Sequence, residues 1–241
     1  MSITTILGKY ERVLYQRVCE QLWENVFFNH LNNGSYTLDQ LHHFAIQFQL
    51  FDQFCHLQFP QAILQAATSL ELASALTLST PIERADPDTT YRRFLLSVTP
   101  THDKSVPSDE SASPALMAWK TKLLEFCQAA SAPEVLIAVE WYSLRCKHEI
   151  MISLAQGLRH PVYQRHGVLD LQFWDEHARE PYGPVETPFF GYAQLQQVSA
   201  SQWCNILMAA AYLMDSIMDL FNEWHNEMMK LWICSRLRQS E

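Results

Sequence analysis

Glycine is scarce, with six residues in 241. Few reversals of this chain can rest on a left-handed residue, and turn dipeptides are also rare, which excludes a fold of many short strands joined by tight hairpins. The sequence contains no run of about 18 apolar residues, so no membrane span is expected. The stretch ILMAAAYLM (206–214) is too short and leads straight into Asp215. The six cysteines, Cys19, Cys55, Cys127, Cys146, Cys204 and Cys234, are widely spread, with no CxxC pair and no signal peptide ahead of them. Reduced thiols in a cytoplasm are expected, not a disulfide scaffold. Basic residues are in deficit, 17 against 26 acidic ones, for a formal net charge of −9. Counterion release from nucleic-acid phosphates needs a basic surface, so nucleic acid is excluded as a partner. A Walker loop, GxSxG, HExxH and a dinucleotide fingerprint are all missing.

What is present is a core-forming composition, 48% apolar and 18% charged. It suits one large all-α domain over residues 1–241. The first helix is expected from about Thr4 to Asn29, with Tyr10, Leu14, Leu22 and Val26 near one face. HLNNG (30–34) ends it, and Gly34 suits a C-terminal stop. Thr37 and Gln40 then form a capping box for a second helix, in which Leu41, Phe44, Ala45, Phe48, Phe51 and Cys55 recur at helical spacing. A third helix follows Pro60. Asp86-Pro87 opens a short helix through TTYRRFLLSV, and residues 99–114 read as a mobile, proline-punctuated loop. Ser113-Pro114 starts a further helix, and Ser131 with Glu134 caps a long one through about Leu158. A short helix within LDLQFWDEHAREPYGP (169–184), stopped by Pro181, precedes a loop over 179–192. Ser199 with Gln202 opens a final long helix.

Several polar residues are candidates for chemistry. Glu140 shares its helix face with Leu136, Ile137, Leu144 and Met151 and so points inward. A buried carboxylate needs a cation, a metal or hydrogen-bond donors beside it, unless the side chain only skirts the core near Lys147. His177 and Glu180, three residues apart, present two potential metal ligands from one helix face, or form an ordinary exposed helix end. Glu83 and Asp86 are a further acidic pair, in which Asp86 also fits as a helix cap. His42, Gln49, Gln53 and His56 form a polar stripe on the second helix, read as surface. Asp215, Asp219 and Asn222 read as the solvated side of the last helix, and Tyr212, Met214, Met218 and Phe221 as core or subunit interface.

The stretch NHLNNGSYTLDQLHHFAIQFQLFDQFCHLQFPQAI (29–63) resembles the opening of the heme-oxygenase-like helical superfamily. ADPDTTYRRFLLSV resembles its short "HPELYRRFLxAL" helix, APEVLIAVEWYSLRCKHEIMISLAQGL its glutamate helix, and DLQFWDEHA its "FFxxH" helix. The superfamily includes thiaminase II, pyrroloquinoline quinone synthase, the chlamydial death-domain-associated protein, heme oxygenases and non-heme di-iron oxidases and oxygenases. The resemblance implies a single bundle of about seven to eight helices.

The di-iron oxidase pattern is the nearest, and it implies a metal set of Glu83, Asp86, Glu140 and His177, with Glu180 or Glu186 as a substitute ligand. In that pattern a His-x3-Asp-x2-His helix supplies ligands, and here Pro181 and Pro184 stand where the aspartate and last histidine belong. Taking His177 as the last histidine instead places Trp174 and Asp170 at the other two positions. The implied function is an iron-dependent oxidase or oxygenase with one or two ions, acting on a small organic molecule with dioxygen. Phe48, Phe51, Trp141 and Tyr142 would wall its substrate pocket. Two other readings keep the fold: a metal-free oxidase or thiaminase-like hydrolase, and a binding module that has lost its metal site. The implied setting is cytoplasmic, without a membrane partner, and a homodimer is implied by resemblance alone.

Overall fold

The computed structural model describes residues 3–59, 61–62, 89–99, 111–129, 147–165, 168–179 and 199–238. Among these there is no strand, and the protein is an all-α bundle. The helices are α1 (Ile3–Glu24), α2 (Val26–Asn32), α3 (Leu38–Gln53), α4 (Thr89–Val98), α5 (Pro114–Ala129), α6 (Lys147–Leu158), the single turn α7 (Pro161–Gln164), α8 (Gln172–Arg179) and α9 (Ala200–Arg238).

The first expected helix is two. Asn25 leaves helical geometry (φ −67°, ψ 127°), and its side-chain oxygen accepts from the Phe27 amide at 3.0 Å, so it caps α2. Its amide nitrogen meanwhile donates to the Met218 carbonyl of α9 at 3.0 Å. An interior helical residue could not make both bonds, and the resulting break turns Val26 outward to 44% exposure instead of into the core. α2 ends in a Schellman motif, with Gly34 N–H bonded to Leu31 O (3.1 Å), Ser35 N–H to His30 O (3.0 Å), and Gly34 at φ +65°.

The Thr37–Gln40 capping box forms as expected, and so does that of Ser199 and Gln202. Asp170 Oδ1 accepts from the Gln172 amide at the start of α8 (3.2 Å), and Ser113 Oγ accepts from the Leu116 amide at the start of α5 (3.2 Å). The expected helix after Pro60 lies largely outside the described residues. The loop over 99–114, the start of the Ser131 helix and the loop over 179–192 do so as well.

α9 is the spine, packed on α1, α2, α3 and α5, while α6 lies against α1, α2 and α8, and α4 bridges α3 to α8. Between them runs an aromatic core. Phe44 and Phe48 of α3 meet Trp174 of α8 with ring centroids 6.2 and 4.9 Å apart, and Phe44, Phe51 and Phe221 surround Trp224 of α9 at 5.3 to 6.0 Å. Gly157 lets α6 close on α2, because a Cβ there would lie 2.7 Å from Leu31 Cγ and 2.8 Å from Asn32 Oδ1.

Contrary to the composition-based expectation, one described helix is long and apolar enough to cross a membrane, over Cys204–Ile233 with mean hydropathy 1.3. Half of its apolar window is buried inside the protein, where Met214, Phe221 and Trp224 are covered by other helices. The helix is apolar because it is the core of the bundle. Of its polar residues, Asp219 is exposed as expected, while the half-buried Asp215 and Asn222 make contacts across the bundle. Asp215 accepts from Arg17 (2.8 Å) and Gln21 (2.7 Å) of α1, and Asn222 Oδ1 accepts from the Val26 amide (3.2 Å), so both tie the amino-terminal helices to α9. Met214, Met218 and Phe221 are buried, whereas Tyr212 stacks on Phe126 at 4.8 Å.

Candidate functional site

Of the expected metal ligands, His177 is described, while Glu83, Asp86, Glu140 and Glu180 lie outside the described residues, as do Glu186, Trp141 and Tyr142. His177 sits on α8 one turn after Phe173. Its Nδ1 faces the Phe173 carbonyl at 2.8 Å and its ring covers the Phe173 ring at 4.2 Å. A carbonyl can only accept, so that contact places a proton on Nδ1, and in the neutral ring Nε2 carries the lone pair. Phe48 and Phe51, expected to wall a pocket, are 1% and 7% exposed and lie within the aromatic core, Phe48 against Tyr91 at 5.9 Å and Phe51 against Trp119 at 5.1 Å.

A cluster of charged groups in electrostatic reach of His177 lies at the end of α3. Asp52 and His56, four residues apart, share a face, and Asp52 Oδ1 lies 3.3 Å from His56 Nε2. Lys147, the first residue of α6, brings Nζ to 3.9 Å from Asp52 Oδ1 and 3.4 Å from His56 Nε2. Between Asp52 and the end of this face the helix changes to a π-helix, Phe54–Gln58, a rare widening often found at functional sites. Burial pushes the Asp52 carboxyl up, but the His56 hydrogen bond and the charges of Lys147, His56 and His177 outweigh it and hold the pKa below its usual value. Asp52 is therefore an anion at neutral pH, served by basic groups from α3, α6 and α8.

His56 Nε2 has two incompatible partners. It either accepts from the Lys147 ammonium or donates a proton to Asp52, so one proton decides which contact is made. The cluster can thus accept a hydrogen bond at Asp52 and relay a proton through His56. This group was legible in part: His56 belongs to the polar stripe read as surface, and it is exposed, while Asp52 and Lys147 are half-buried. Asp52, the key acid, carries no signal beyond its i, i+4 spacing to His56.

A serine, a histidine and a glutamate also meet, at Ser113, His43 and Glu227, but not as a nucleophilic triad. Ser113 Oγ already caps α5 by accepting from the Leu116 amide, and no hydrogen bond joins it to an imidazole among the described residues. Glu227 Oε1 also accepts from the Ala115 amide at 3.1 Å, and His43 Nε2 stands 3.7 Å from Oε2. The carboxylate neutralises the positive end of α5. Burial raises its pKa, yet His43, the Ala115 amide and Ser113 together leave it below the usual value.

A pH dependence follows from these two acids. A carboxyl whose folded pKa is depressed stabilises the fold above the unfolded value and loses that contribution as pH falls through the folded one. Asp52 and Glu227 are expected to make the urea midpoint fall on acidification below about pH 4, near the unfolded carboxyl pKa. The Glu227→Gln protein should be less stable at neutral pH and show a shallower fall, and an unchanged slope in the two proteins would contradict the assignment.

The described residues do not assemble an iron site by themselves, since no three side chains among His, Cys, Asp and Glu converge there. No protein-family model and no curated protein matches the chain.

Proposed function

We propose that the protein binds a small organic molecule beside Asp52 and acts on it by metal-free proton transfer, as a member of the heme-oxygenase-like superfamily that its sequence resembles. The observation that carries this reading is a carboxylate paired with His56 and Lys147 beside the π-helix and held anionic, with His177 in electrostatic reach. A carboxylate in that state accepts a hydrogen bond from an N–H or O–H group of a ligand and fixes its orientation. His56, poised between an acid and a base, then takes or returns the proton.

The test is a thermal-shift screen of small organic molecules bearing N–H or O–H donors, followed by turnover and oxygen-uptake assays on those that bind. Asp52→Asn, which keeps the shape and removes the charge, is expected to lower kcat/KM by about 100-fold or more, in the range of a lost acid or base. Full activity in Asp52→Asn would overturn the proposal. Binding without turnover would favour a binding module instead.

A second reading, the iron-dependent oxidase, is supported by His177: its Nδ1 is tied to a carbonyl and its Nε2 is left for a metal, as in metal-ligating histidines. Metal analysis of protein grown with iron separates the two. Stoichiometric iron lost in both His177→Ala and Glu140→Ala supports the oxidase, and protein that is active without bound iron rules it out.

A further inference from the structure

A second pair of imidazoles stands on elements that the proposed site does not use, His30 on α2 and His225 on α9. The geometry points to a two-histidine site here for a borderline divalent transition cation, Zn2+ or Cu2+, ligated by Nε2 of each ring. The ring centroids are 4.3 Å apart, with the planes inclined at 53°. Two imidazoles on neighbouring positions of one cation, with Zn–N about 2.0–2.1 Å, place their centroids roughly 4.5–5.3 Å apart. A small side-chain rotation supplies the difference.

Both rings have their other nitrogen committed. His30 Nδ1 faces the Val26 carbonyl at 3.1 Å and is therefore the protonated nitrogen. Tyr36 Oη lies 2.8 Å from His225 Nδ1 and 3.4 Å from the Phe27 carbonyl, so in the tautomer that a cation at Nε2 selects, Tyr36 donates to that carbonyl and its oxygen accepts from His225 Nδ1–H. In that tautomer each ring offers the lone pair of Nε2, and no hydrogen bond to either Nε2 is found among the described residues. Anchoring one nitrogen and offering the other is how proteins set histidines to bind a metal, and Tyr36 is the positioning residue for His225.

The pair is rigid and reachable. His30 precedes the Schellman turn that stops α2, His225 lies on the long α9, and α2 packs directly on α9. His225 is 9% exposed and His30 is half-buried, so a cation can enter from the His30 side. Burial first, and the neighbouring His30 second, disfavour protonation of His225 and keep it in the ligating form at neutral pH. Imidazole nitrogens select Zn2+, Cu2+ or Ni2+ over Mg2+ or Ca2+. Since no third His, Cys, Asp or Glu among the described residues joins them, water or an exchangeable ligand fills the remaining positions.

The test is titration of the full chain with Zn2+ by calorimetry and with Cu2+ by electron paramagnetic resonance. It is run in a Cys204→Ser, His177→Ala background, so that the exposed thiol and the candidate iron ligand do not contribute. One equivalent of tight binding with hyperfine structure from two nitrogens is expected. His30→Ala should weaken it by more than about tenfold, and Tyr36→Phe, a change one step removed from the metal, by about tenfold. His30→Ala removes a half-exposed ring and leaves the fold in place, as circular dichroism checks, so it decides the matter even if His225→Ala does not fold. Equal affinity in the His30→Ala protein, or Cu2+ spectra with fewer than two nitrogens, would overturn the site.

Discussion

Trp174→Ala lowers the stability of the protein by about 3–5 kcal/mol, the cost typical of emptying a large aromatic site in a core. Trp174 is fully buried, and its ring meets those of Phe44, Phe48, Phe94 and Phe173 at 4.9 to 6.2 Å, so its removal opens a void at the junction of α3, α4 and α8. Trp174→Phe is expected to cost much less. It keeps an aromatic ring and also removes an indole N–H that is buried without a hydrogen-bond partner, itself a penalty of about 1–3 kcal/mol. Urea denaturation of the three proteins measures the difference, and a phenylalanine variant as unstable as the alanine one would contradict the expectation that a retained ring fills the site. Because His177 lies one turn further along α8, the alanine variant should also lose the turnover proposed at Asp52 disproportionately to its fraction folded.

The second large effect belongs to a residue with no side chain. Gly34→Ala forces a Cβ into φ +65°, which costs about 1–2 kcal/mol for an L-residue. That Cβ would also lie 2.1 Å from His160 Nδ1 and 2.5 Å from His160 Cε1, and displacing a packed side chain costs about 1–3 kcal/mol more. His160 caps α7 through Nδ1, which faces the Val162 amide at 3.4 Å, so its movement frays that turn. Gly34→Ala in a His160→Ala background isolates the backbone part: thermal unfolding should show a smaller loss there than in the parent. Equal losses would mean that the imidazole simply swings aside.

Local chemistry made much of the bundle legible. Thr37 with Gln40 and Ser199 with Gln202 are caps formed within four residues, so they read correctly from sequence. Gly34 reads correctly for the same reason. Asn25 did not, because its break needs a carbonyl of α9 that stands 193 positions away. Asp215 and Asn222 looked solvated because their partners, Arg17 and Val26, belong to the other end of the chain. The apolar stretch of α9 fell short as a strict hydrophobic run, yet over Cys204–Ile233 it is apolar enough to span a membrane, and only its packing shows why.

The candidate site follows the same division. His177 stood out through the pattern around it, and the structure gives that ring a half-buried place beside Phe173. Asp52 was passed over because the helix surface that carries it faces water until α6 brings Lys147 alongside. By itself the sequence determined the helical class, the caps and the alternation that fills the core, all of which depend on contacts within a turn or two of chain. Tertiary structure alone decided which acid is held ionised, which histidines meet and where the first helix breaks. Those outcomes depend on charge, burial and hydrogen bonds contributed by residues far apart in sequence, which no local spacing encodes.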